Sequence, residues 1–172
     1  MKIILFTLLL SSLGVQAQHS HHSHHETEKM SVKRKALPAK DVSEVKLILD
    51  KNDELFNAFL KKDNSLIEKK SQELSALVKK SQGSSLKEVK NQVKKLDSIK
   101  ASEKHDANLA SYESFVNPLI KLVQTYDVGS NFNIFSCPMV KKSWIQNTDV
   151  NKGVKNVYAM EMLECGTQDT KF

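Results

Sequence analysis

Two short motifs in the last third of the chain carry the residues best suited to chemistry. They are Cys137-Pro138-Met139 and Met162-Leu163-Glu164-Cys165-Gly166. They hold both cysteines of the protein, each with a methionine two or three residues away. Two thiols and two thioethers support two kinds of chemistry. One is a Cys137–Cys165 disulfide, which an even cysteine count and an oxidising compartment favour. Closing a loop of about 29 residues would stabilise the fold by ~3.5 kcal/mol in the chain-entropy account. The other is a soft-metal site, with Cu(I) or Ag(I) held by the Cys137 and Cys165 thiolates and the Met139 and Met162 thioethers, because soft sulfur selects soft monovalent ions. For the methionines the plain alternative is core filler under a loop. Zinc fits less well, since its structural sites usually add histidines or further cysteines.

A second ligand-bearing tract lies near the N-terminus: His19, His21, His22, His24 and His25, interrupted by serines. Neutral imidazole is a borderline ligand, and dense histidine tracts capture Cu(II), Zn(II) or Ni(II). A flexible spacer is the bland alternative. The stretch to Ala36 has little apolar content, so residues 18–37 are expected to be a disordered His-rich tail.

The tract follows Lys2, an apolar run from Ile3 to Leu10 and Val15-Gln16-Ala17. This is the pattern of a secretory signal peptide over residues 1–17. The run is too short to span a bilayer, which takes ~20 apolar residues. The expectation is export, with the periplasm as the destination and no transmembrane segment after cleavage. Residues 18–172 are the size of one domain.

The formal net charge is +6, and loss of Lys2 with the signal lowers it by one. Much of the excess sits in Lys61-Lys62, Lys69-Lys70, Lys79-Lys80 and Lys94-Lys95, mixed with acidic residues on the polar faces of helical patterns. A nucleic-acid surface would need a basic stripe with interleaved aromatics, so that class is set aside.

The residues that must position the motifs read as four helices. Val45, Ile48, Leu49, Phe56, Phe59 and Leu60 recur at three- and four-residue steps behind Asp41-Val42-Ser43-Glu44, an acidic form of the capping box. Leu66, Ile67, Leu74, Leu77 and Val78 form a second stripe, capped by Asp63 or Asn64 and ended by Gly83. Ser85-Leu86-Lys87-Glu88 opens a third with Leu86, Val89, Val93, Leu96 and Ile99. A fourth, from Ser102, carries Leu109, Tyr112, Phe115, Val116, Leu119, Ile120 and Val123. Pro118 should kink or break it. His105 reads as a solvated surface residue. Short connections predict a mainly α fold, an up-down four-helix bundle over residues 38–166, with a small C-terminal β-hairpin and loop module at 131–166 packed on it.

In that module Asn131 to Ser136 and Val157-Tyr158-Ala159 are expected as strands, Trp144 and Tyr158 as core aromatics, and residues 167–172 as a polar tail. Pro138 should stop the first strand. No phosphate loop, Ser-His-Asp set or paired catalytic carboxylates appear. The cysteines also lack the C-x-x-C spacing that acidifies a thiol in redox enzymes, so no enzymatic activity is expected.

The order Cys137-Pro138-Met139, Trp144, Asn156 with Tyr158, then Met162-Leu163 and Cys165-Gly166 resembles the signature of the domain of unknown function 3347 family. The resemblance covers roughly residues 41–166. Val157 stands where that family has proline, and Met160 stands near its glycine position. The family is exported and bacterial, and occurs alone or fused to periplasmic adaptor subunits of copper and silver efflux pumps. The resemblance therefore implies a copper-class metal-binding protein, a chaperone or sequestering agent in metal homeostasis or efflux. Its partners would be metal ions and an efflux adaptor or other envelope protein. A structural or interaction module stapled by its disulfide is the competing expectation.

Overall fold

The computed structural model describes residues 33–172. Residues 1–17, expected as a signal peptide, and the histidines 19, 21, 22, 24 and 25 lie outside the described residues. The described part is mainly helical, with small sheets near its C-terminal end. No helix among the described residues is long and apolar enough to cross a membrane.

Helix α1 (Val42–Leu60) buries Val45, Ile48, Leu49, Leu55, Phe56 and Phe59, the stripe its periodicity predicts. Asp63 caps α2 (Asn64–Lys80) by accepting from the Leu66 N–H at 3.0 Å. The expected third helix is two short ones, α3 (Lys87–Asn91) and α4 (Val93–Asp97), divided at Gln92. Buried Ser71 and Ser75 on α2 let α4 approach closely. Ser71 Oγ donates to the Leu96 carbonyl, and Ser75 Oγ to the Asp97 carboxylate, both at 2.6 Å.

Helix α5 (His105–Thr125) runs without interruption through Pro118, so the helix does not break there. The missing N–H is tolerated because Phe115, Val116, Leu119, Leu122 and Val123 bury one face on both sides of it. His105 opens this helix half-buried, its ring edge-on to Phe59 at 5.7 Å, which corrects its reading as a solvated residue.

The two expected capping boxes are replaced by longer-range bonds. Asp41 makes no side-chain bond to its own helix. It is fully buried and accepts instead from the Ser85 N–H (2.9 Å) and from the hydroxyls of Ser85 (2.8 Å) and Ser84 (3.3 Å). Glu44 accepts from the N–H groups of Gln82 and Gly83. Thus α1 supplies acceptors for the free donors that precede α3. The Ser85 N–H foremost, with the serine hydroxyls, holds the Asp41 carboxyl below its usual range against the opposing effect of burial. Gly83 does not end α2, whose C-cap is Ser81. A Cβ there would stand 3.0 Å from Asp41 Cγ, so its smallness serves this loop grip.

The described chain begins against its own C-terminal half. Strand β1 (Lys35–Ala36) pairs in parallel with β2 (Tyr126–Asp127), so residues 35–36, expected within the disordered stretch 18–37, form a strand. Arg34 bonds Asp127 at 3.1 Å and lies 3.5 Å over the Phe172 ring.

Strand β3 (Phe132–Cys137) pairs antiparallel with β4 (Lys142–Asn147) along its whole length. Its other edge takes β5 (Thr167–Gln168), giving the order β4-β3-β5. Two expectations are corrected here. Residues 157–159 lie in turns rather than in a strand, and the polar tail contributes β5. β4 follows β3 through the turn at residues 138–141, whereas β5 is a non-local partner that returns after Gly166. Phe115, Phe132, Phe135, Trp144 and Ile145 join one core shared by helices and hairpin.

Candidate sulfur site

Cys137 is the last residue of β3 and is buried. Pro138 has no N–H to continue the ladder, so the chain turns, and Lys141 closes the turn in the left-handed region at φ 54°. This turn aims the backbone N–H groups of Met139 and Val140 at the Cys137 sulfur. Lys142, opposite Cys137 in the hairpin register, pairs with Glu113 of α5 at 2.6 Å and anchors the turn to the helices.

Cys165 arrives from the opposite direction, at the end of the long loop that follows β4. That loop is held by buried polar groups. Gln146 accepts from the Lys155 N–H at 3.0 Å and donates to the Asn151 carbonyl at 3.0 Å. Asn156, fully buried, is the second clasp. Its amide donates to the Cys165 carbonyl (2.8 Å), its carbonyl oxygen accepts from the Tyr158 N–H (2.9 Å), and its own N–H reaches the Leu163 carbonyl (2.7 Å). One turn further, the Cys165 N–H bonds the Met162 carbonyl at 2.8 Å. Thr167 then pairs with Ser136, which brings the preceding Cys165 beside Cys137.

Gly166 makes that approach sterically feasible. Its φ is +137°, and a Cβ there would stand 2.7 Å from the Ser136 carbonyl oxygen and 3.0 Å from Trp144 Cη2. Trp144 is the floor of the module, fully buried, stacked on Phe135 at 6.0 Å and tilted against Tyr158 at 6.4 Å.

The result is a cluster of three sulfurs. The two Sγ atoms are 2.6 Å apart, beyond the ~2.05 Å of a disulfide bond, and the cysteines are free. Cys165 Sγ donates to Met139 Sδ at 3.6 Å. Met139 is 69% exposed, and the fourth candidate sulfur, Met162, also lies on an exposed side chain.

The thiols are not equivalent. The hydrogen bond from Cys165, followed by the N–H groups of Val140 and Met139 and the Asn156 side chain, holds Cys137 below the usual thiol range although burial opposes it. Cys165 is pushed up, by its bond to Cys137 first and by burial second. Cys137 is thus the more acidic of the two sulfurs and Cys165 the less acidic. Thiolate and thioether donors suit soft monovalent ions. Among the described residues no three His, Cys, Asp or Glu side chains gather as a site for a harder metal.

Asn156 and Gly166 were visible in the sequence only as parts of a signature. Their roles depend on the return of residues 156–168 to β3, for which no local pattern exists. Neither a protein-family model nor a curated protein nor a solved structure matches the chain, so the sulfur cluster is the feature from which its function is argued.

Proposed function

We propose that this protein is an exported, non-enzymatic metal-binding protein that holds a copper-class monovalent ion through Cys137, Cys165 and Met139, with the exposed Met162 as a further thioether donor. The observation that carries this reading is the convergence of two thiols and a thioether on one turn, with N–H groups directed at the more acidic thiol. In this reading the five helices act as a four-helix bundle whose third member is α3 with α4, and the bundle is the platform for the sulfur module. The resemblance to an exported family found beside copper and silver efflux adaptors supports the same assignment, with a chaperone or sequestering role. The His-rich tract, His19 to His25, would act separately, capturing Cu(II) or Zn(II).

The test is competition of the reduced protein with a coloured Cu(I) chelator. Stoichiometric removal of Cu(I) from the chelator, abolished in a C137S/C165S double variant, is expected. Absence of transfer to the reduced wild-type protein would overturn the assignment. Deleting residues 19–25 should leave Cu(I) binding intact and reduce Cu(II) binding.

One observation favours a second reading, in which the cysteines only staple an interaction module: the two Sγ atoms already approach to 2.6 Å. That reading expects a disulfide resistant to mild reductants and no metal uptake.

A further inference from the structure

We propose that Cys137 and Cys165 are a reversible redox pair, and that their oxidation by an external disulfide shuts the sulfur site while an external thiol reopens it. This rests on the soft-metal reading above and adds its regulation. Three features of the structure carry it.

The first is distance. The two sulfurs stand in direct contact at 2.6 Å, so side-chain adjustment alone can bring them to the ~2.05 Å of a covalent bond. The backbone on each side is pinned: Cys137 by the β3–β4 ladder, Cys165 by Asn156 and the β3–β5 pairing. Neither bond formation nor bond breakage requires the fold to open.

The second is asymmetry of access. Cys137 is 1% exposed, whereas Cys165 is half-buried. An external disulfide meets Cys165 first. The Cys165 sulfur, losing its proton, bonds one external sulfur, and the other leaves and takes up a proton. Cys137, lying in contact, then loses its proton, attacks the Cys165 sulfur and expels the second external sulfur, which is protonated in turn. Two protein thiols and one external disulfide become one protein disulfide and two external thiols. Atoms and electrons balance without another reactant.

The third is the absence of competitors. The chain holds two cysteines, so no other intramolecular pairing is available. Once joined, neither sulfur is a thiolate, and Met139 alone remains of the three-sulfur cluster. Met139, even with the exposed Met162, is a weaker donor set for a soft ion without a thiolate, so the metal leaves.

The experiment equilibrates the full chain in glutathione buffers of graded ratio. Free thiols are counted by alkylation and mass spectrometry, and bound Ag(I) is measured in parallel as a redox-silent probe. Both thiols should disappear together, without accumulated glutathione adduct, and Ag(I) capacity should fall in proportion, by at least tenfold when oxidation is complete. Far-ultraviolet circular dichroism should not change. Stepwise glutathione adducts, oxidation only after denaturation, or a disulfide that persists in fully reduced glutathione would overturn the redox pair. Equal Ag(I) binding by oxidised and reduced protein would overturn the gating while leaving metal binding in place. A concerted two-thiol transition in protein that never takes up Ag(I) would instead refute the soft-metal reading, and the gating with it. C165S serves as the control, since Cys165 is the less buried sulfur; it should collect one adduct at Cys137 more slowly than the wild type loses its thiols.

Discussion

Replacing Asp53 with asparagine should stabilise the protein at neutral pH and leave it nearly unchanged in mild acid. Asp53 lies on α1 at 9% exposure. One oxygen accepts from Asn57 Nδ2 at 2.9 Å, and the other from Asn151 Nδ2 at 3.4 Å, with the Asn147 N–H adding a third bond. Burial is the dominant influence and raises its pKa from 3.8 to about 6, assisted by the Asp50 and Glu54 charges and only partly offset by the hydrogen bonds. Because the folded value lies above the unfolded one, the native state keeps a proton that the unfolded chain releases. The associated stability is complete below pH 3.8 and is lost as pH rises through 6. At ~1.4 kcal/mol per pKa unit, the buried carboxylate costs about 3 kcal/mol at neutral pH. Asparagine removes that cost but turns one acceptor into a donor facing Asn147 and Asn151, so a net gain of ~2 kcal/mol is expected at pH 7.5. That corresponds to a Tm rise of about 4–8 °C for a domain of this size. Urea melts of wild type and D53N at pH 7.5 and 4.5 measure it. Equal differences at the two pH values, or destabilisation at pH 7.5, would refute the reasoning.

Three further outcomes follow from the site and the core. Gly166→Ala places a Cβ against the Ser136 carbonyl and Trp144 at positive φ, so a loss of ~3 kcal/mol in chemical denaturation is expected, with weaker Ag(I) retention because Cys165 is displaced. Asn156→Ala leaves the Cys165 carbonyl and the Tyr158 N–H without their partner, a cost of ~2–3 kcal/mol, together with faster limited proteolysis between residues 148 and 165. Tyr112→Phe strands the buried Asn52 side chain that accepts from the phenol at 3.2 Å, and thermal melts should show a loss of ~1–2 kcal/mol.

The legible parts of this fold are those in which the determining contacts are local. The stripes of α1, α2 and α5 are set by three- and four-residue steps, and Val45, Ile48, Leu74, Phe115 and Leu119 are fully buried as their spacing predicts. The near-heptad run from Leu86 to Ile99 also buries its apolar residues, yet its backbone divides at Gln92. There the close approach of α2 through Ser71 and Ser75 bonds Leu96 and Asp97, and two serines on a polar-looking helix face do not announce such a contact. Asp41 and Glu44 carry the right residue types for capping, but their partners lie some forty residues away. The β-module was least legible for the same reason. Val157-Tyr158-Ala159 has strand composition, but β3 has only two edges, taken by residues 142–147 and 167–168. The sulfur pairing itself was readable, since two cysteines in neighbouring motifs leave few arrangements; which methionine joins them depends on the turn after Pro138, which only the fold defines.

The way the site is closed bears on how the whole module behaves. Residues 148–166 form a long connection held by a few buried polar clasps and by one sulfur contact, so the reduced, metal-free protein should be the least stable of its states. Two events can close it. A disulfide would contribute ~3.5 kcal/mol by constraining the unfolded chain. A metal bound only by the native state would contribute about 2.7 kcal/mol at a hundredfold excess over its Kd. These are similar in size, and both act between the same two atoms, so they cannot add. Proteolysis within residues 148–165 should therefore be fastest for reduced, metal-free protein and comparably slow for the oxidised and the Ag(I)-loaded forms. Oxidising a metal-loaded sample should release the ion with little change in protection, because one brace between Cys137 and Cys165 has replaced another.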